Sequence, residues 1–278
     1  RWADKPKGID LIERCGANLV AVLMGEKEPL ELFQGLLFDF DEAEDDNLEF
    51  PWHTYYNSIL RAIAKQTVDS LPSATHLRVL EIGGGQGLAT REILPILPAE
   101  RTSYTFTDIG AAALNRCQKQ FSDYPFIDYR FLDIERSPTE QGYENHSFDL
   151  IIVVNVLHVT KNMAATLQHV RSLLAPNGLL LTWEITEAAL DFDMTWGLLM
   201  NPLEDEERSH GNPFLSQQQW QEQLLRHGFT EVAVFPDNDT LGQHILVAQA
   251  SPPTTPTTPA AFAVTCEPQE VQPASASG

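Results

Sequence analysis

Apolar residues recur at three- and four-residue steps over residues 9–33, through Ile9, Ile12, Leu19, Val20, Leu23 and Met24, before Gly25 interrupts them. That spacing predicts an amphipathic helix. An acidic loop follows, carrying Asp39, Asp41, Glu42, Glu44, Asp45, Asp46 and Glu49, and reads as a solvated surface segment. Tyr56, Ile59, Leu60, Ile63 and Leu71 then share one face of a second helix, over 52–71, which Pro72 and Ser73 end. From residue 77 the period changes. Short β-branched runs at 77–82, 103–108, 127–132, 148–154, 178–185, 231–235 and 244–249 alternate with helical patterns at 88–97, 111–121, 163–174 and 216–227. Nearly continuous apolar strands are what parallel strands covered on both faces require. The expected fold is therefore α/β, a doubly wound and mostly parallel sheet with right-handed crossovers, preceded by a helical N-terminal lid.

Three segments are expected: a lid over 1–72, a core over 73–250 and a linker over 251–278. The last holds 6 of the 18 prolines and no Lys or Arg, a composition suited to an extended tether and to a domain cut from a longer polypeptide. The net charge of −21, from 18 Lys+Arg against 39 Asp+Glu, disfavours a nucleic-acid partner. No apolar run reaches the ~18–20 residues of a membrane span, and no secretory leader is visible. Cys15, Cys117 and Cys266 are too far apart to read as a disulfide framework or zinc site, so a cytoplasmic setting is expected.

The chemistry concentrates at strand ends. The first strand of the core runs into Glu81-Ile82-Gly83-Gly84-Gly85-Gln86-Gly87 and then a helix. The dinucleotide spacing fails, because its third glycine would fall at Leu88, and E-x-G-x-G-x-G fits instead. Asp108 ends the next strand, where a carboxylate can accept two ribose hydroxyls. Asp133 ends the third, Asn155 the fourth, and a Pro176-Asn177-Gly178 turn enters the fifth. His158 and Glu184 lie at the ends of the fourth and fifth strands, an imidazole base with a carboxylate to fix its tautomer.

This order of parts resembles the class I S-adenosylmethionine-dependent methyltransferases. The resemblance implies S-adenosylmethionine as cofactor, held by Glu81, Gly83, Gly85, Gly87, Asp108, Ile109, Asp133, Ile134 and Asn155, with Asp133 on the adenine amino group between Leu132 and Ile134. Tyr104–Ile109, Asn155–Thr160, Gly178–Thr186 and Pro213–Trp220 are further similar to methyltransferase domains embedded in modular polyketide synthases. That likeness implies an acyl chain on the phosphopantetheine arm of an acyl carrier protein as substrate, and neighbouring domains of the same megasynthase as partners. Where carbon-methylating relatives carry Gly-Trp-Trp, this chain has Thr195-Trp196-Gly197, which points to the oxygen-methylating branch and a β-hydroxyl or enol oxygen. Carbon methylation at the α-carbon of a β-ketoacyl thioester and a free small-molecule substrate are the alternatives. His158 and Glu184 are expected as the catalytic pair. Tyr55, Tyr56, Asn57, Trp183, Trp196 and Met200 are expected against substrate, and no metal is expected. The run Glu204–Glu207 with Arg208 reads as a solvated helix start.

Overall fold

The computed structural model describes residues 7–33, 51–188, 190–205, 208, 211–237 and 241–252. The acidic loop at 39–49 and the tail beyond 252 lie outside the described residues. Seven strands form one sheet: β1 (Leu77–Ile82), β2 (Thr102–Asp108), β3 (Ile127–Phe131), β4 (Phe148–Val154), β5 (Leu174–Ile185), β6 (Phe229–Phe235) and β7 (Gln243–Ala250). Their spatial order is β3-β2-β1-β4-β5-β7-β6. The first five run parallel to one another, and β7 is antiparallel to both β5 and β6. The strand order reverses between β1 and β4, and the crevice at such a point is where open α/β sheets bind ligands.

Each central strand feeds two cores because both faces are covered. In β4, Leu150 and Ile152 pack with Tyr56 and Leu60 of α2 (Pro51–Ser70) and Ile93 of α3 (Leu88–Ile93). The alternate residues Ile151 and Val153 pack with Leu167 and Val170 of α5 (Met163–Leu173) and Trp220 of α7 (Gln217–Arg226). Cys117 of α4 (Ala111–Gln120) joins the first layer. Four such residues in a row explain why β4 reads as an unbroken apolar run.

Local chemistry sets most boundaries. Ser216 and Gln219 form a capping box that starts α7, and Asn162 Oδ1 accepts from the Ala165 amide at 2.9 Å to start α5. The helix expected to reach residue 97 stops at Ile93 and tightens into a 3-10 turn, because Pro95 has no N–H to continue the ladder. Strand β5 begins at Leu174 rather than 178, with Asn177 at φ 62° inside it and a register shift against β4.

The N-terminal part is helical, as its periodicity predicts. Leu11 and Cys15 of α1 (Lys7–Leu23) bury against Leu32 and Phe33 in a small cluster of their own. A short helix absent from the sequence reading, α6 (Leu190–Met194), packs against α1. No helix among the described residues is long and apolar enough to cross a membrane.

Candidate functional site

The carboxyl ends of β2, β1, β4 and β5 stand side by side. Ile82 pairs with Thr107 on one side and Val153 on the other, and Val154 pairs with Trp183. Asp108, Gly83, Asn155 and Glu184 therefore form a row along one sheet edge. The glycine loop leaves β1 through Gly83, Gly85 and Gly87 at φ 66°, 55° and 76°, which accounts for the every-second-residue spacing. Among the described residues, a Cβ built on Gly85 would have only the Gly83 carbonyl oxygen nearby, at 3.8 Å, so this loop turns an open backbone face toward the crevice. Gly84, which the spacing pattern passed over, is constrained more tightly. A Cβ there would lie 2.2 Å from the Phe106 ring.

Asp108 ties the loop to β2. Its Oδ2 accepts from the Gly85 amide at 2.9 Å and its Oδ1 from the Gly110 amide at 2.7 Å. Each oxygen keeps a further acceptor position, enough for two ribose hydroxyls. Asn155 sits at φ 53°, and its Oδ1 is buried without a hydrogen-bond partner among the described residues, as is Asn57 Oδ1 on α2. Orphaned buried acceptors are costly unless a ligand supplies the donor. The open Gly85 face, the half-buried Asp108 and the unpaired Asn155 oxygen together fit a nucleoside cofactor with a charged amino-acid end.

Other expected cofactor residues sit differently. Asp133 is half-buried, and its Oδ1 accepts from the Glu135 amide at 3.0 Å. Ile109 is exposed at the rim, whereas Ile134 and Leu132 are buried in the layer beneath α5, so their side chains pack the core instead of flanking an open slot. Glu81 turns under the loop. Its Oε2 accepts from Thr90 at 2.6 Å and Tyr104 at 2.7 Å, linking β1 to α3 and β2. Burial pushes the Glu81 carboxyl up to about 7, against the two hydroxyls, which favour its charged form. Its bonding to protein hydroxyls assigns it to holding the loop in shape.

His158 lies on a 3-10 turn, Leu157–Val159, directly after β4. Its Nδ1 is 2.6 Å from Glu184 Oε2, with His158 2% and Glu184 0% exposed. The other Glu184 oxygen accepts from the Leu157 amide at 2.9 Å and the Val156 amide at 3.3 Å. Phe192 and Phe214 flank the imidazole with ring centroids 5.5 and 5.3 Å away. With Nδ1 committed to Glu184, Nε2 is the nitrogen available for proton transfer. Among the described residues no group of three or more His, Cys, Asp or Glu is placed to hold a metal ion.

The expected substrate residues divide. Tyr56 and Trp183 are core: their rings stack at 5.0 Å, Tyr56 donates to the Gln243 carbonyl and Trp183 to the Gln243 side chain, both at 2.8 Å. Two large aromatics on facing elements bury best against each other, and that seats α2 on β5 and β7. Tyr55 is 45% exposed and packs edge-on against Tyr56, and Trp196 is 40% exposed against Phe33. Met200 lines a cavity of about 470 Å³ together with Phe192, Gly197, Leu203, Arg208 and Pro213. Phe192 thus faces both the cavity and the imidazole.

Arg208 overturns the expectation of a solvated helix start. It is buried, pairs with Asp205, and donates to the carbonyls of His158 at 2.9 Å and Thr160 at 2.7 Å. Burial disfavours charge on Asp205, but hydrogen bonds from Arg208 and the Met163 amide outweigh it and hold the carboxyl below the usual range. A lone cation inside an acid-rich run was the one sequence signal for this pair.

Residues 80–180 match a family described as "Methyltransferase domain". A highly reducing polyketide synthase from Aspergillus terreus is 35% identical over 261 residues, covering 87% of this chain and 10% of that protein. The CurJ carbon methyltransferase is 36% identical with a TM-score of 0.77, over 88% of this chain and 66% of its own. The structure of the citrinin polyketide synthase CMeT domain is 26% identical with a TM-score of 0.74, over 88% and 65%. The chain spans about a tenth or less of the curated relatives it matches.

Proposed function

Because the chain is an S-adenosylmethionine-dependent methyltransferase of the class I Rossmann-like fold, homologous to the methyltransferase domains of polyketide synthases, we propose that it methylates the α-carbon of a β-ketoacyl thioester carried on an acyl carrier protein. The observation that carries this reading is the likeness to the CurJ carbon methyltransferase, which exceeds that to the citrinin CMeT domain in both identity and TM-score. It reverses the preference for oxygen drawn from Thr195-Trp196-Gly197. Gly197 lines the cavity beside Met200, so divergence in that stretch bears on the shape of the wall more than on which atom accepts the methyl group.

The chemistry of the base supports the same choice. An α-carbon between two carbonyls releases its proton to an imidazole because the electron pair spreads over two oxygens. An alcohol has no such delocalisation and is a far weaker acid. His158 Nε2 takes the α-proton, while Glu184 holds Nδ1–H and stabilises the imidazolium that forms. Asp108 holds the ribose hydroxyls, Asp133 the adenine amino group, and Asn155 with the open glycine loop the remainder of the cofactor. When bound, S-adenosylmethionine supplies an electrophilic methyl group on a sulfonium. The cavity beside Phe192 receives the acyl chain and its pantetheine arm.

Intact-mass spectrometry of carrier-bound β-ketoacyl and β-hydroxyacyl substrates, each incubated with enzyme and S-adenosylmethionine, tests the proposal. The expected result is a one-methyl gain on the β-ketoacyl form, with fragmentation locating the methyl on the α-carbon. A gain on the β-hydroxyacyl form alone, or a methyl on oxygen, would overturn it in favour of oxygen methylation. Equal turnover of carrier-bound and free thioesters would remove the carrier protein from the proposal.

A further inference from the structure

The turn that carries His158 is gripped by two buried charges of opposite sign. A single 3-10 turn has little stability of its own, and its terminal amides and carbonyls need partners from elsewhere. At the amide end, Glu184 Oε1 takes the N–H groups of Val156 and Leu157 at 3.3 and 2.9 Å. At the carbonyl end, Arg208 Nη1 donates to His158 O at 2.9 Å and Nη2 to Thr160 O at 2.7 Å. Asp205 neutralises the guanidinium and also accepts from the Met163 amide at 2.8 Å, at the start of α5. Arg208 itself lines the cavity that holds Phe192, Met200 and Pro213. One side chain therefore joins the cavity wall to the main chain of the imidazole residue.

A buried ion pair is a poor means of stabilising a fold, because desolvation offsets most of the attraction and a well-packed apolar pair would serve as well. What this pair supplies is geometry. It fixes two carbonyls of one turn against a planar fork whose donors have set directions. Proton removal from carbon depends steeply on the placement of the base, and a misplacement of about 1 Å can lower a rate by about 10²-fold.

We propose that Arg208, braced by Asp205, is a positioning residue for methyl transfer: it sets where His158 stands relative to an acceptor in the neighbouring cavity. This rests on the reading of His158 as the base.

The test compares Arg208→Met, Arg208→Lys, Asp205→Asn and His158→Ala in the full chain. It follows S-adenosylhomocysteine formation with a β-ketoacyl thioester and cofactor affinity by calorimetry, and it compares α-deuterated with unlabelled substrate. For Arg208→Met, kcat is expected to fall by about 10²-fold with cofactor affinity unchanged. The isotope effect should rise, because proton removal becomes the slow step. Arg208→Lys restores one donor and should recover part of kcat. A purely structural role would lower kcat and cofactor affinity together and leave the isotope effect alone, and either that pattern or a parental kcat overturns the proposal. If Arg208→Met does not fold, Asp205→Asn and Arg208→Lys are judged by the same two readouts. An active His158→Ala would remove the base assignment and this role with it. An inactive His158→Ala beside a fully active Arg208→Met would remove the positioning role alone.

Discussion

Glu184 holds His158 in two ways at once: one carboxylate oxygen lies 2.6 Å from the ring Nδ1, and the other accepts the amides of Val156 and Leu157 in the turn that bears the ring. One buried group thus fixes the tautomer and anchors the amide end of the turn, opposite the carbonyl end held by Arg208. The side chain of an acid ending β5 reaches across to the loop following β4, which is possible only because those strands are parallel neighbours.

Replacing Glu184 by Gln keeps the size and one acceptor but removes the charge that stabilises an imidazolium. The expected loss in kcat is about 10²-fold or more, by analogy with other carboxylate–imidazole pairs. His158→Ala should abolish turnover while leaving cofactor affinity close to the parent, since the histidine touches none of the loop or Asp108 contacts. Steady-state kinetics paired with calorimetric titration of S-adenosylmethionine checks both. Parental kcat in either variant would remove the dyad from the mechanism.

Asp108→Ala has the opposite profile. It removes the acceptor for the Gly85 and Gly110 amides as well as the ribose contacts proposed for it, so the loop loses its tie to β2. Hydrogen bonds to a charged group contribute about 1.5–3 kcal/mol each, so affinity for the cofactor should fall by at least about tenfold. Titration of S-adenosylhomocysteine measures this without turnover. Unchanged affinity would mean that the ribose is held elsewhere.

Glu81 makes stability depend on pH. Its carboxyl titrates at about 7 when folded, against 4.5 for the free side chain, chiefly because burial penalises the charge. Between those pH values the folded state keeps a proton that the unfolded chain has lost, so stability falls as pH rises and levels off above the folded value. The effect amounts to roughly 3 kcal/mol at most. Glu81→Gln retains an acceptor for Thr90 and Tyr104 but does not titrate. Denaturant titrations from pH 5 to 8 should show the parent losing stability relative to this variant, and parallel profiles would refute the assignment.

The strand rhythm, the glycine spacing and the positions of Asp108, His158 and Glu184 were legible in sequence because each is a local pattern tied to a strand end. Parallel pairing then brings such ends together without further information. Arg208 was not legible, since its acceptors on His158 and Thr160 lie 50 and 48 positions earlier in the chain and are main-chain atoms, whose involvement no residue type signals. Tyr56 and Trp183 were misplaced for a related reason. An aromatic on a helix or near a strand end looks the same whether it lines a pocket or, as here, stacks at the helix–sheet interface above Gln243. The atom that receives the methyl group was read from one stretch of cavity wall, and that stretch is set by shape as much as by chemistry.

Gly84 is the position where backbone and core meet most closely, and it gives a test that separates packing from ligand approach. Its amide donates to the Thr107 carbonyl at 2.9 Å, and its Cα faces the Phe106 ring so closely that an added Cβ would lie 2.2 Å away. Phe106, on β2, is fully buried in the core layer with its ring 5.6 Å from that of Tyr129, so it has little room to withdraw. Gly84→Ala should therefore destabilise the fold by about 1–3 kcal/mol through overpacking. Gly85→Ala has open space at its Cβ but forces an alanine to φ 55°, a strain of about 1–2 kcal/mol, and points a methyl group into the crevice. The two variants separate when each is combined with Phe106→Leu. That second change should recover stability for Gly84→Ala only, and it should leave the cofactor affinity lost in Gly85→Ala unrecovered. Thermal melts and cofactor titrations on the four variants provide the comparison. Equal rescue of both would show that the glycine loop is shaped by Phe106 throughout and that the Gly85 face is not the one the cofactor meets.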